Sequence, residues 1–292
     1  MRIHIGFDIA LTFPQPTPML MMLNVHPSRR DTLVVPDLLR VEPQVPMQSY
    51  IDGFANQCTR VVAPAGLFRI STDAVIEDSG LPDRVVPEAH AVPLDALPSE
   101  TLVFLLGSRY CETDTLSQMA WDNFGKSKPG WDRVQAIVDF VHNHVEFGYP
   151  HARATRTARE AHAERRGVCR DFAHLAITLC RAMNIPARYA TGYLGDIGVP
   201  RDPAPMDFSA WFEVFLEGGW YAFDARHNQP RIGRVVMAYG RDAADVALTN
   251  TFGAHSLSKF EVWTDEIPEG AALPSGGSRP DVAILSFPSS RN

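Results

Sequence analysis

The stretch from Gly167 to Leu194, GVCRDFAHLAITLCRAMNIPARYATGYL, decides the fold. Cys169, Ala173, Ala176 and Cys180 recur at i, i+4, i+7 and i+11, which lines them up along one face of a helix running from about Val168 to Met183. That stripe is made of small side chains, so another element can approach it closely, and Phe172, Leu175 and Leu179 flank it as packing surface. Asn184 suits a left-handed C-terminal position, and Pro186 ends the helix. ARYATGYL (187–194) then reads as a strand. SAWFEVFLEGGWYAFDAR (209–226) reads as two alternating runs joined at Glu-Gly-Gly, a β-hairpin. RIGRVVMAY (231–239) supplies one more strand, and Asp242 in GRDAADV (240–246) is expected to cap a helix.

Helical patterning also precedes this core. GWDRVQAIVDFVHNHVEFGY (130–149) carries Val134, Ile137, Val138, Val141 and Val145 at helical spacing. RTAREAHAERRG (156–167) is a polar helix with Gly167 as its expected C-cap. Further upstream the periodicity changes. RIHIGFDIAL (2–11), DTLVV (31–35) and QCTRVVAPAGLFRISTDAVIE (57–77) are β-branched and aromatic runs punctuated by Pro, Gly and Asp, as in hairpins of a sandwich or curled sheet. A proline-rich connection, 81–100, closes that region. The expected organisation is therefore α+β. An N-terminal β-sandwich-like domain spans 1–100, a core of helix on antiparallel sheet spans 101–265, and a Pro/Gly/Ser-rich tail spans 266–292. In the tail, VAILSF (282–287) would dock as an edge strand or stay loose.

Composition narrows the function classes. The chain has 292 residues, 45% hydrophobic and 21% charged, as expected of a globular protein of one large or two medium domains. A net charge of -7 argues against a nucleic-acid or anionic-membrane surface. Asp8 and several prolines interrupt the apolar start of the chain, so neither a signal peptide nor a membrane span is indicated and a cytoplasmic location is expected. No Walker or Rossmann glycine pattern is present, no Cys-x-x-Cys pair occurs, and no metal or organic cofactor is indicated.

Core packing accounts for Cys58, Cys111 and Cys180. Cys169 differs, because it stands in the first turn of a helix, where unpaired N–H groups and the helix dipole favour a thiolate and can stabilise an oxyanion. Arg153, Arg156, Arg159, Arg165, Arg166 and Arg170 crowd the preceding segment against Glu160 and Glu164, a cationic neighbourhood on paper. Position alone leaves both a reactive thiol and a space-filling one open. In the hairpin, odd positions of the first strand share a face with even positions of the second. Ser209, Trp211, Glu213 and Phe215 therefore lie with Trp220, Ala222, Asp224 and Arg226, and an ionisable Asp224 beside Trp211 and Trp220 is a site-like environment.

Taken together, these motifs resemble the transglutaminase-like superfamily of papain-type cysteine folds, in its bacterial branch. In that family a Cys opens a helix after R-G-x-C, a His comes from an H-A-W-x-E strand, and an Asp ends G-W-x-x-F-D. The resemblance covers roughly residues 1–253 and implies Cys169 as nucleophile, Asp224 as orienting carboxylate, and a peptide or protein amide substrate contacted by Trp211 and Trp220. It fails at the third member, since Ser209 stands at the family histidine position and a hydroxyl is no base near pH 7. His227 can substitute only if the chain turns after Asp224. His174, about 140° around the helix from Cys169, points elsewhere, and His255 sits in an unassigned loop. The resemblance implies a cysteine peptidase or amidase. The alternative is a catalytically silent member that binds a peptide or protein partner in the same cleft.

Overall fold

A computed structural model describes residues 1–273, so the VAILSF run lies outside the described residues. Seven strands come first: β1 (Arg2–Phe13), β2 (Thr17–Met21), β3 (Leu33–Val35), β4 (Arg40–Glu42), β5 (Met47–Ile51), β6 (Gln57–Ala63) and β7 (Gly66–Glu77). Helices α1 (Thr113–Phe124) and α2 (Trp131–His144) follow, then β8 (Glu146–Phe147), α3 (Ala158–Glu164), β9 (Arg166–Gly167) and α4 (Cys169–Ala182). The chain continues through β10 (Ala187–Tyr193), β11 (Ser209–Leu216), β12 (Gly219–Phe223), β13 (Val235–Gly240), β14 (Thr249–Thr251) and β15 (Ser256–Ile267). The fold is α+β.

The period-two pattern of β1 explains the first layer pair. Ile3, Ile5, Phe7, Ile9, Leu11 and Phe13 are all buried in one core, against Met19 and Met21 of β2 and Phe68 and Ile70 of β7. One sheet runs β15-β1-β7-β3, with β4 also on β7; the other runs β14-β2-β6-β5. β15 is a departure from the expected organisation. Residues Ser256–Ile267, mostly inside the span assigned to the core, lie antiparallel along β1, from Arg2 opposite Ile267 to Thr12 opposite Ser256. The chain's last described strand thus completes the sheet that its first strand begins.

Around α4 the second core assembles. Every residue from Asp171 to Arg181 is buried, because α1, α2 and α3 pack on the helix while β10 and β11 lie beneath it. The polar residues of this buried turn set find partners inside. Thr178 Oγ1 donates to the His174 carbonyl (2.7 Å), and Arg181 donates to the carbonyls of Ala187 and Leu106. His174 Nε2 accepts from the Ala243 N–H (3.1 Å), and its ring stacks on Tyr110, so it packs away from the site. Asn184 takes the expected left-handed conformation (φ 61°) and turns the chain into β10.

Two local expectations change. The helix before Cys169 ends at Arg165, whose φ is 56°, and not at Gly167. Gly167 instead pairs in β9, and a Cβ there would sit 2.6 Å from the Asp171 Cβ, so the glycine is required by the close approach of that carboxylate. Among the described residues no helix follows Asp242. Its carboxylate is taken up by the N–H groups of Tyr110 (2.7 Å) and Ala244 (2.9 Å), which makes a turn that ties this segment to the residues preceding α1.

The core sheet runs β12-β11-β10-β13. Phe212 faces Phe223 and Glu213 faces Ala222, so odd positions of β11 share a face with even positions of β12, as the hairpin arithmetic requires. Ala210, Phe212, Val214 and Leu216 turn toward the helices; Trp211 turns to the other side, against Ala190 and Val236. Among the described residues no helix is long and apolar enough to cross a membrane.

Candidate functional site

Cys169 is the first residue of α4 and is half-buried, whereas Cys58, Cys111 and Cys180 are buried; all four are free thiols. The start of the helix is fixed by Asp171. Its N–H donates to the Val168 carbonyl (2.8 Å), and its Oδ2 accepts from the Val168 N–H (2.9 Å) and from Arg156 Nη1 (3.0 Å). This arrangement corrects the cationic neighbourhood read from the sequence. Arg156 is held by Asp171 and Glu164, Arg153 by Glu160 and Glu164, and Arg170 donates to the carbonyls of Arg153 and Ala154. Burial pushes the Cys169 thiol up to about 11, and the charges of Asp207 and Asp224 add to it. Arg226 and the Ala210 N–H, which bonds the sulfur, pull the other way.

Asp224 follows the last residue of β12 and is buried. The chain turns immediately after it. Asp224 Oδ1 accepts from the N–H groups of Arg226 (3.0 Å) and His227 (3.1 Å), and the Asn228 N–H donates to the Asp224 carbonyl (2.8 Å) at a left-handed φ of 48°. That turn returns His227 to the carboxylate, with Nδ1 2.8 Å from Asp224 Oδ2. Arg234 Nη2 donates to the same oxygen (3.1 Å) while its Nε donates to Asp83 (2.8 Å), a residue of the connection between the sandwich and α1. Burial alone would raise the Asp224 carboxyl, but Arg234 and His227 outweigh it and hold the group well below the usual carboxylate range. His142, at the end of α2, donates from Nδ1 to the Ala225 and Arg226 carbonyls (3.2 and 3.0 Å) and pins the turn from outside.

The remaining sequence candidates separate. Ser209 opens β11 opposite Gly192, with its carbonyl accepting from Thr191 Oγ1 (3.1 Å). Trp211 is 2% exposed, with Arg234 over its ring and its Nε1 unpartnered, so it forms the floor behind Asp224 and offers no surface to a substrate. Trp220 belongs to a different neighbourhood. Four residues back along β12, roughly 13 Å away, it packs on Phe104 and Phe215 beneath Arg188. His255 bonds Thr251 Oγ1 (2.8 Å) and leans on Phe13, in the sandwich.

Two residues enter the site that sequence reading missed. Asp207, just before β11, is the strongest charge felt by the thiol, and burial pushes its carboxyl up to about 6. Arg226 lies over the Phe147 ring at 3.7 Å and acts on both Cys169 and Asp207. The signal for Asp207 was its parity with Ser209; Arg226 was placed on the Asp224 face but given no role.

With this geometry in hand, comparison with known proteins is direct. Residues 118–225 match the model of the transglutaminase-like superfamily, an interval that runs from α1 to the residue after Asp224. A candidate cysteine protease from Cytophaga hutchinsonii superposes with a TM-score of 0.79 at 31% identity, covering 94% of this chain and 93% of that one.

The chain belongs to the transglutaminase-like superfamily.

The likeness to the Cytophaga protein extends over both sandwich and core, so the N-terminal sheets are part of what this transglutaminase-like chain shares with it. An uncharacterized protein of Mycobacterium bovis is 25% identical over 246 residues, 76% of this chain and 78% of its own length. One of Mycobacterium leprae is 36% identical over 89 residues, and the match spans 30% of that protein's length.

Proposed function

We propose that this transglutaminase-like protein is a cysteine hydrolase or acyltransferase of amide or peptide bonds, with Cys169 as nucleophile and the Asp224–His227 pair as its acid–base partner. The observation that carries the reading is the 2.8 Å contact between His227 Nδ1 and Asp224 Oδ2, beside a carboxylate whose charge reaches the Cys169 sulfur. Asp224 fixes the ring and its tautomer, leaving Nε2 to exchange a proton, which is the task the family histidine performs from the Ser209 position. The sulfur attacks the substrate carbonyl carbon as its proton passes to the base, and the N–H groups at the start of α4 face the developing oxyanion. The C–N bond breaks, the proton goes to the departing amine, and water or an amine releases the acyl group from the thioester. A cytoplasmic setting, where free thiols persist, suits this chemistry.

One observation favours a second reading. A thiol pushed up to about 11, with Ser209 in place of the family base, describes a resting site that is protonated. In that case the cleft binds a peptide or protein partner without turning it over.

Amide and ester turnover by the wild type, Cys169→Ala, His227→Ala, Ser209→His and Ser209→His with Cys169→Ala tests both. The enzyme reading expects wild-type turnover that is lost without Cys169, falls about 10²–10⁴-fold in His227→Ala, and gains nothing from Ser209→His. An inactive wild type that gains Cys169-dependent turnover from Ser209→His would establish the silent cleft instead.

A further inference from the structure

Several buried or half-buried arginines of this region have their charge answered within the protein. Arg153 pairs with Glu160 (2.8 Å) and Glu164 (2.9 Å), Arg156 with Glu164 and Asp171, Arg231 with Asp196 (3.5 Å), and Arg234 with Asp83 and Asp224. Arg226 is different. Among the described residues no carboxylate forms an ion pair with it, and its guanidinium donates no hydrogen bond to another side chain. Asp207, a carboxyl that feels its charge, accepts instead from the Phe208 N–H (2.7 Å).

The side chain is nonetheless held in place. The Arg226 N–H donates to Asp224 Oδ1 (3.0 Å), its carbonyl accepts from His142 Nδ1 (3.0 Å), and its guanidinium lies 3.7 Å over the face of Phe147. Phe147 pairs with Gly167, two residues before Cys169, so this ring fixes the cation at the thiol's own end of α4. A guanidinium laid on a ring keeps its N–H edge directed outward, in the fork that matches a carboxylate. It is half-buried, where a charge-assisted hydrogen bond is screened less than on the open surface.

We propose that Arg226 is a specificity-determining residue that binds a carboxylate of the substrate next to the scissile amide. The proposal rests on the reading of Cys169 as nucleophile. The carboxylate is either the free C-terminus of a short peptide or an acidic side chain flanking the bond.

The test separates recognition from turnover. In the Cys169→Ala background, calorimetry gives dissociation constants for acetyl-trialanine, for acetyl-trialanine amide, and for that amide with glutamate as its middle residue. At least one carboxylate peptide is expected to bind about tenfold more tightly than the neutral amide. Arg226→Gln should bring the ratio close to one, with Arg226→Lys in between because it keeps the charge and loses the fork. Whichever carboxylate peptide holds the preference names the source of the group. Equal binding of all three, binding of none, or a preference that survives Arg226→Gln overturns the proposal. An inactive wild type with the preference intact would instead overturn the catalytic reading and leave the subsite standing.

Discussion

Asp207 and Cys169 share one poorly solvated patch, and the carboxylate makes the thiolate costlier. With the thiol pushed up to about 11, the thiolate fraction grows about tenfold per pH unit through neutrality. Iodoacetamide should therefore label Cys169 ahead of the three buried cysteines, at a rate that climbs from pH 6 to 9 without levelling. Asp207→Asn removes the facing charge, lowers the thiol, and should raise the rate at pH 7 several-fold. Peptide mapping of the alkylated native protein checks both; a plateau near neutral pH would reveal a thiolate–imidazolium pair instead. At this scale the sequence points to Cys169 and Asp224, and it leaves His227 conditional on a turn that the chain makes at Asn228. It misleads about the field. Arg153 and Arg156 are turned to Glu160, Glu164 and Asp171, while the charges that reach the sulfur come from just before β11 and the turn after β12. Neighbours in sequence can be counted by eye; neighbours across a fold cannot.

The N-terminal turn of α4 depends on one carboxylate. Asp171 caps the helix, holds the buried Arg156 and sits against Gly167, so three elements meet on its side chain. Asp171→Ala would leave the buried Arg156 with Glu164 as its one remaining carboxylate, beside the His151 carbonyl, and the first turn uncapped. Losing one partner of a buried pair costs about 3–5 kcal/mol, and urea unfolding of the variant should show a loss of that size. A loss below about 1 kcal/mol, the value of an exposed pair, would mean that the site is wetter than its burial indicates. The helix itself was legible from its stripe of small residues and its Asn184–Pro186 ending. What surrounds it was not, because a helix buried on every side shows the same periodicity on the face toward β11 as one buried on that face alone. The turn at Asp242 went unread for a related reason. A lone acidic residue before small ones fits a helix cap or an Asx turn equally well, and the Tyr110 N–H that selects the turn is far away in sequence.

Across the whole molecule, β15 pairs along β1, from which it is far removed in sequence. Gly6 of β1 lies opposite Trp263, and a Cβ on Gly6 would meet the indole at 2.3 Å and the Thr72 carbonyl at 2.5 Å, so the glycine admits the ring between strands. Trp263 Nε1 then reaches His4 Nε2 (3.2 Å). Gly6→Val should expel the indole and cost about 3 kcal/mol through overpacking, seen as a red-shifted tryptophan emission and a lower urea midpoint. Unchanged emission would show that β1 can shift to accommodate the methyls. The alternating runs of the sandwich were readable from sequence, but β15 was not. Its Ser256–Phe260 half is exposed or half-exposed, and only Val262, Trp263 and Thr264 are buried, too short a pattern to stand out as a strand. This closure also constrains how the protein is made. On the ribosome, β1 emerges long before β15, its partner along one edge, has been made. At ordinary elongation rates of about 5–20 residues per second the wait is on the order of tens of seconds. Throughout that interval one edge of β1 is an open template for foreign strands, so nascent chains of this protein should be strong clients of ribosome-associated chaperones.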